Sequence, residues 1–169
     1  MSGSAGAILL AAGQGRRLGH DKSITAIAGR PVLAYGLEAL LGIRDIEKVV
    51  VAVRADVKEH AKLWIRKNYP NKAKRVEVIV GGKERQDSVW EGLEALGCGA
   101  EWAVVHDAAR VLTPAGLIER VMAGAKRSGA AAAARKMSDT VRQADVQGNV
   151  VRLLDREGLW RMERESDSC

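Results

Sequence analysis

Short apolar runs alternate with helical periodicities along this chain, and few folds accept that order. Residues 48–53 form a continuous β-branched run, which is typical of a parallel strand buried on both faces. Similar apolar runs stand at 7–10, 76–80 and 102–105. Between them, apolar residues recur at helical spacing, as in a stripe of Val89, Leu93 and Leu96. This alternation predicts an α/β fold, a three-layer sandwich around a mostly parallel sheet.

A glycine turn with nearby cations follows the first apolar run. Gly13 and Gly15 would let a ligand approach main-chain N–H groups, and Arg17 and Lys22 would neutralise phosphate charge. A dinucleotide-binding turn is one interpretation, although Leu18 stands at its third glycine position, and a P-loop would need a glycine before the lysine. A tight βα turn before a solvated basic face is another. The third is a nucleotidyltransferase loop, since nucleotidyl transfer relies on positioning and charge neutralisation.

Composition excludes several classes of protein. The 169 residues are 47% hydrophobic and 28% charged, and no apolar run approaches the length of a membrane span. The first residues lack the basic segment of a secretory signal, and Cys98 and Cys169 form no metal-spaced or disulfide framework, which favours the cytoplasm. The net charge of +6 is dispersed and phenylalanine is absent, so small anionic substrates explain it better than nucleic acid.

Polar residues follow the predicted strands directly. The glycine turn, Gly81-Gly82 and His106-Asp107 all come at strand ends, and ligands of parallel sheets bind beyond the carboxyl ends of the strands. Gly81-Gly82 alone could be only a turn, and Asp107 could cap the next segment. Beside a triphosphate, however, Asp107 would hold Mg²⁺, which takes oxygen ligands. We expect His106 to be a packed or hydrogen-bonded histidine rather than a catalytic group.

The segment 137–158 has a different pattern. After a small-residue run at 129–134, which we interpret as a strand, polar and β-branched residues flank a turn at 145–149. This pattern predicts a β-hairpin or arm that leaves the main sheet. Because a lone hairpin is marginal in water, we expect a second copy of the chain to order it.

Several segments together resemble one enzyme family. They are Leu10-Ala11-Ala12-Gly13 with Gly15, Arg17 and Lys22; Gly81-Gly82-Lys83-Glu84-Arg85-Gln86-Asp87-Ser88-Val89; His106-Asp107-Ala108-Ala109-Arg110; Asp139-Thr140; and Asp155-Arg156 with Gly158-Leu159-Trp160. From Ile8 to Trp160 the chain resembles the 2-C-methyl-D-erythritol 4-phosphate cytidylyltransferase family of the non-mevalonate isoprenoid pathway. That family makes CDP-methylerythritol and pyrophosphate from CTP and methylerythritol phosphate, with Mg²⁺. The resemblance implies a nucleotide-diphospho-sugar transferase-like, Rossmann-like fold with a projecting β-arm.

The resemblance also implies a role for each matching residue. Arg17, Lys22 and Arg156 would be catalytic, and Asp107 would bind Mg²⁺. The implied substrate-binding residues are Ala11, Ala12, Gly13 and Gly15 at the CTP phosphates and ribose, Gly81, Gly82 and Ser88 at the cytosine, Arg110 near the methylerythritol phosphate, and Thr140 on the arm. In the family this arm crosses a twofold axis and completes the partner's site, so a homodimer is implied.

Departures from the family pattern keep alternatives open. Asp21 replaces the usual proline before Lys22, and the spacing of this gap also resembles molybdopterin guanylyltransferases. Another sugar-phosphate or polyol-phosphate nucleotidyltransferase is a further alternative. After Trp160 the family continues with a Gln-Thr-Pro-Gln segment, whereas 161–169 is polar, which suggests a truncation or frame change and an inactive nucleotide-binding remnant. We predict one nucleotidyltransferase domain, 1–169, with 137–158 as a dimerisation arm and 161–169 as an atypical tail.

Overall fold

A computed structural model describes residues 4–13 and 26–162 of the chain. Its strands and helices are β1 (Ala5–Leu10), β2 (Ala26–Ile27), β3 (Arg30–Pro31), α1 (Val32–Gly42), β4 (Ile46–Val53), α2 (Lys58–Asn68), β5 (Val76–Val80), α3 (Arg85–Leu96), β6 (Trp102–Asp107), α4 (Ala115–Ser128), β7 (Ala134–Lys136), β8 (Val141–Ala144), β9 (Val150–Leu154) and β10 (Trp160–Met162). The chain divides into two compact units, Met1–Glu119 and Arg120–Cys169. Within the described residues, no helix combines the length and apolarity needed to cross a membrane.

The first unit contains a four-stranded parallel sheet in the order β5-β4-β1-β6. Leu10 lies opposite both Ala52 and Asp107, and Val53 lies opposite Val80. The carboxyl ends of all four strands therefore meet along one edge. Chain order reverses between β1 and β6, and ligands of such sheets bind at this switch point. The predicted mostly parallel sheet is confirmed.

Different helices cover the two faces of this sheet. A Cβ added at Gly36 of α1 would lie 2.8 Å from Leu9 Cδ1, and one added at Gly92 of α3 would lie 2.6 Å from Ile8 Cγ2. Because consecutive strand residues point to opposite faces, α1 and α3 pack on opposite sides of β1. The predicted three layers are therefore present.

The sheet supplies the core of the first unit. All five residues of the run 49–53 are fully buried, as the β-branched pattern predicts. Burying one such valine contributes about 1.5–3 kcal/mol. On α3, however, the buried residues are Ser88, Gly92 and Leu96, whereas Leu93 is exposed. Of the predicted stripe, Leu96 is buried and Val89 half-buried, and only Leu93 was wrong, because the close approach to Ile8 turns the small residues to the sheet.

The small-residue run at 129–134 is not the predicted strand. Helix α4 continues to Ser128, and Gly129 follows it with φ of 86°, a conformation that glycine adopts readily. The Gly129 N–H donates to Ala125 O at 2.7 Å, which caps the helix end. Only β7 remains of the expected strand, and it starts at Ala134.

The second unit contains two antiparallel strand pairs, β7–β10 and β8–β9. In the turn between β8 and β9, Asp145 Oδ1 accepts hydrogen bonds from the N–H groups of Gln147 (3.0 Å) and Asn149 (2.8 Å). Side chains of Val150, Val151 and Leu153 on β9 are exposed. The hairpin lies inside the segment 137–158 that the sequence predicts as an arm.

Candidate active site

Loops leave the carboxyl edge of the sheet from fixed positions. Each is tied by a backbone hydrogen bond that extends the parallel ladder beyond the strand. The bonds are donated by Ala11 to Ala52 O (2.8 Å), by Gly81 to Val53 O (2.8 Å) and by Ala108 to Leu10 O (2.9 Å). The first residues after β1, β5 and β6 therefore lie along the same edge, as the sequence predicts, with β4 between β1 and β5.

Gly81 packs between Ala12 and Ser88. A Cβ at Gly81 would lie 2.6 Å from the Ala12 Cβ and 2.8 Å from the Ser88 Oγ, so a larger residue would displace both. Ser88 is buried, and its hydroxyl donates to Glu84 O at 3.3 Å. The structure thus brings together three of the predicted substrate-binding residues, and it leaves no room for a side chain at Gly81.

Gly82 packs on the first turn of α3. A Cβ at Gly82 would lie 2.2 Å from the Asp87 Cβ and 3.1 Å from its backbone carbon. Asp87 belongs to a capping box with Glu84, whose N–H donates to Asp87 Oδ2 at 2.9 Å. This contact fixes the direction in which the chain enters α3, and with it the backbone of Arg85, the first residue of the helix.

Asp107 ends β6 between two arginines. Its Oδ1 lies 3.1 Å from Arg85 Nε and its Oδ2 lies 3.4 Å from Arg110 Nε. The Arg110 N–H also donates to the Asp107 carbonyl at 3.0 Å. Asp107 and Arg110 are predicted site residues, whereas Arg85 was missed as a site residue. Its position in the motif Gly81–Ser88 was the available signal.

His106 lies on the other face of β6 from Asp107. It is buried, and a Cβ at Gly36 of α1 would lie 3.1 Å from its Cδ2. Its Nε2 has no hydrogen-bond partner among the described residues. Burial lowers the pKa of His106, against the opposing charge of Asp107. The expectation of a packed histidine is confirmed, and that His106 is not catalytic stays a prediction.

Asp107 is the predicted metal ligand at this edge. Across residues 4–13 and 26–162, no three His, Cys, Asp or Glu side chains group as metal ligands. Asp107 still offers an oxygen donor at the edge. Mg²⁺ commonly binds through only one or two carboxylates, with substrate phosphates and water as its other ligands, so the Asp107 carboxylate fits the predicted metal.

The remaining predicted residues divide into two groups. Gly15, Arg17 and Lys22 lie outside the described residues, and the description of the loop stops at Gly13. Thr140 and Arg156 belong to the second unit. There, Thr140 is exposed and Arg156 Nη1 donates to Ser138 O at 2.6 Å. This bond joins the chain before β8 to the chain after β9.

Comparison with known proteins points to one family. The family model described as IspD: 2-C-methyl-D-erythritol 4-phosphate cytidylyltransferase matches residues 5–164. A curated relative from Dehalococcoides mccartyi, named 2-C-methyl-D-erythritol 4-phosphate cytidylyltransferase, is 38% identical over 155 residues, which are 91% of this chain and 67% of that protein.

Solved structures have the same fold. A 4-diphosphocytidyl-2C-methyl-D-erythritol synthase from Anaerococcus prevotii matches with a TM-score of 0.79 at 23% identity, covering 96% of this chain and 68% of that one. A 2-C-methyl-D-erythritol 4-phosphate cytidylyltransferase from Thermus thermophilus matches with a TM-score of 0.64 at 29% identity, covering 97% and 68%. The chain spans about two thirds of the length of these relatives.

Proposed function

We propose, because the chain belongs to the 2-C-methyl-D-erythritol 4-phosphate cytidylyltransferase family, that it transfers CMP from CTP to 2-C-methyl-D-erythritol 4-phosphate. The products are CDP-methylerythritol and pyrophosphate. The observation that carries the proposal is the packing of Ala12, Gly81 and Ser88 at the carboxyl edge of the sheet. Ala12 belongs to the first motif of the family pattern, and Gly81 and Ser88 open and close the second; they meet where a nucleotide would bind.

The reaction is a nucleotidyl transfer. A phosphate oxygen of methylerythritol phosphate attacks the α-phosphorus of CTP, and the bond from that phosphorus to the oxygen bridging it to the β-phosphate breaks. The residues at the edge would orient CTP: Gly81 and Gly82 leave a side-chain-free surface for the cytosine, and Ala11 to Gly13 offer main chain to the phosphates. Arg17 and Lys22 would neutralise charge that grows in the transition state.

Asp107 would hold Mg²⁺, and Arg110 would meet the phosphate of the acceptor. The metal would supply further neutralisation of the triphosphate. One carboxylate suffices for this use because the nucleotide provides other oxygen ligands.

The second unit supports a homodimer as part of the proposal. The hairpin β8–β9 has two strands and three exposed apolar residues on β9, and such a hairpin gains stability from a covering partner. A second copy of the chain would cover it, and Thr140 and Arg156 would then complete the neighbouring site. CTP and the acceptor remain the partners we expect, without nucleic acid or a membrane, for a single domain in the cytoplasm.

The decisive experiment is pyrophosphate release from CTP with methylerythritol phosphate and Mg²⁺. Gly81→Ala should abolish most of the release, whereas Gly99→Ala, which has open space at its Cβ, is the matched control. Circular dichroism verifies that both variants are folded. Release only with ribitol phosphate would indicate a polyol-phosphate cytidylyltransferase. Release only with GTP and molybdopterin would indicate a molybdopterin guanylyltransferase. CTP binding by calorimetry without release would identify an inactive remnant.

Mixing variants tests the dimer. Arg156→Ala and Lys22→Ala chains should each be inactive and should regain partial activity when mixed, because one of the two sites in a mixed dimer is intact. A chain that sediments as a monomer while active would contradict this arrangement.

A further inference from the structure

The Asp107 carboxylate is shared by two cations of different character. Arg110 is three residues away, and its N–H is bonded to the Asp107 carbonyl, which keeps the Arg110 backbone close to the carboxylate that its side chain contacts. Arg85 reaches Asp107 from another element, the start of α3, through a single Nε contact of 3.1 Å. Its side chain is 63% exposed, against 31% for Arg110. Arg85 is thus the cation that can leave Asp107 at the smaller cost.

The position of Arg85 on its helix favours an anion nearby. It is the first residue of α3, where the helix dipole is positive and a cation is unfavourable. The capping box and the close packing of Gly82 hold the backbone at the start of the helix, so Arg85 needs only a side-chain rotation to change its partner. A guanidinium binds a phosphate through two parallel hydrogen bonds, which is a stronger arrangement than one Nε contact with a carboxylate.

We propose that Arg85 and a divalent cation compete for the Asp107 carboxylate, and that the nucleotide triphosphate removes this competition by drawing the Arg85 guanidinium onto its phosphates. The inference rests on the proposed function, because that function puts a triphosphate at this edge. Arg85 then acts as a displaceable counter-ion. Before nucleotide binds, it lowers the affinity of Asp107 for metal; once nucleotide binds, it adds to the affinity for the triphosphate.

Substituting Arg85 should change the affinity for the metal alone and the affinity for the nucleotide alone in opposite directions. In Arg85→Gln, the affinity for Mn²⁺ without nucleotide, measured by the electron paramagnetic resonance signal of unbound Mn²⁺, should rise about two- to fivefold, the factor that corresponds to an exposed ion pair. In the same variant, the affinity for CTP in EDTA, measured by calorimetry, should fall. Arg85→Lys, which keeps the charge but not the paired N–H donors, should restore the Mn²⁺ affinity most of the way to wild type and the CTP affinity only in part.

Two controls assign the effect to this pair. Asp107→Asn should lose the Mn²⁺ site. Arg66→Gln removes an exposed arginine on α2, and so tests for a general effect of net charge; it should change neither affinity. A structural role for Arg85 would weaken both ligands together.

Unchanged Mn²⁺ affinity in Arg85→Gln, weakening of both ligands, or full Mn²⁺ binding in Asp107→Asn would each overturn the proposal. The Mn²⁺ measurement uses neither nucleotide nor acceptor. A wild-type chain that releases pyrophosphate while Arg85→Gln binds Mn²⁺ as wild type does would therefore refute this inference alone. A chain that binds CTP without releasing pyrophosphate would refute the proposed function alone.

Discussion

The carboxyl edge of the sheet and the hairpin β8–β9 are stabilised in opposite ways. At the edge, buried strands, backbone bonds beyond the strand ends and close glycine contacts hold Ala12, Gly81 and Ser88 together within one chain. The hairpin depends on one strand pair and the bonds that Asp145 accepts in its turn, while its apolar side chains face outward. Contacts within the chain are therefore enough to define the geometry of the edge. The hairpin would bury its apolar side chains only against a further surface.

The largest expected contrast is in side-chain truncation. Leu9→Ala, at a fully buried position under the edge, should lower the free energy of unfolding by about 2–5 kcal/mol. Leu153→Ala, at an exposed position of the hairpin, should change it by no more than about 0.5 kcal/mol in the monomer. Urea unfolding at a dilution that gives monomers measures both. Equal losses would show that the hairpin is buried within its own chain.

Glycine replacement should give a smaller contrast of the same kind. Gly82→Ala forces a methyl group to within 2.2 Å of the Asp87 Cβ, so overpacking should cost about 1–3 kcal/mol and disturb the start of α3. Gly148→Ala in the hairpin turn has open space, but φ is 89°, so only backbone strain of about 1–2 kcal/mol opposes it. Thermal unfolding and pyrophosphate release distinguish them: only Gly82→Ala should impair both.

The smallest expected effect is in pH dependence. Burial lowers the pKa of His106 below its ordinary value of 6.5, so the fold holds a neutral imidazole. Stability should be full above pH 6.5 and fall as the pH drops from there through the lowered pKa, because the unfolded chain takes up the proton first. Urea midpoints in EDTA should show this loss in wild type, and His106→Gln should lack it. Parallel pH curves for the two chains would contradict it.

The hairpin should respond at lower pH. Hydrogen bonds from Asn149, chiefly from its backbone, lower the pKa of Asp145 below its ordinary value of 3.8. The turn should therefore keep its bonds above pH 3.8 and lose them as the pH falls through the lowered pKa. Amide chemical shifts of Gln147 and Asn149 report the change, and Asp145→Asn should remove it.

Sequence patterns predicted the edge well because it is made of strand ends. A buried β-branched run such as 49–53 has few alternatives, and parallel strands bring the residues that follow them to one side. The pairing of Arg85 with Asp107 was not predictable in the same way. The pairing depends on the distance between the start of α3 and the end of β6. The apolar spacing within either segment does not predict that distance.

The errors have a common physical origin in small residues. The hydrophobic pattern of α3 favoured Leu93, but the helix turns Gly92 and Ser88 to the sheet because they permit a closer approach. The alanine-rich run after Gly129 is compatible with strand, helix or coil, and the cap at the end of α4 determines the outcome. When the distance between a helix and the sheet decides which side of the helix is buried, the spacing of apolar residues predicts that side poorly.

The central place of β1 also has a consequence for synthesis on the ribosome. Ala5 pairs with Ile46 on one side and with Trp102 on the other. A nascent chain can join β1 to β4 and β5 early, but the other edge of β1 stays open until β6 has emerged. During that interval an apolar strand exposes unpaired N–H and C=O groups, which favour aggregation. Ala12 is synthesised before this interval and Asp107 at its end. The candidate site therefore cannot form until β6 has left the ribosome.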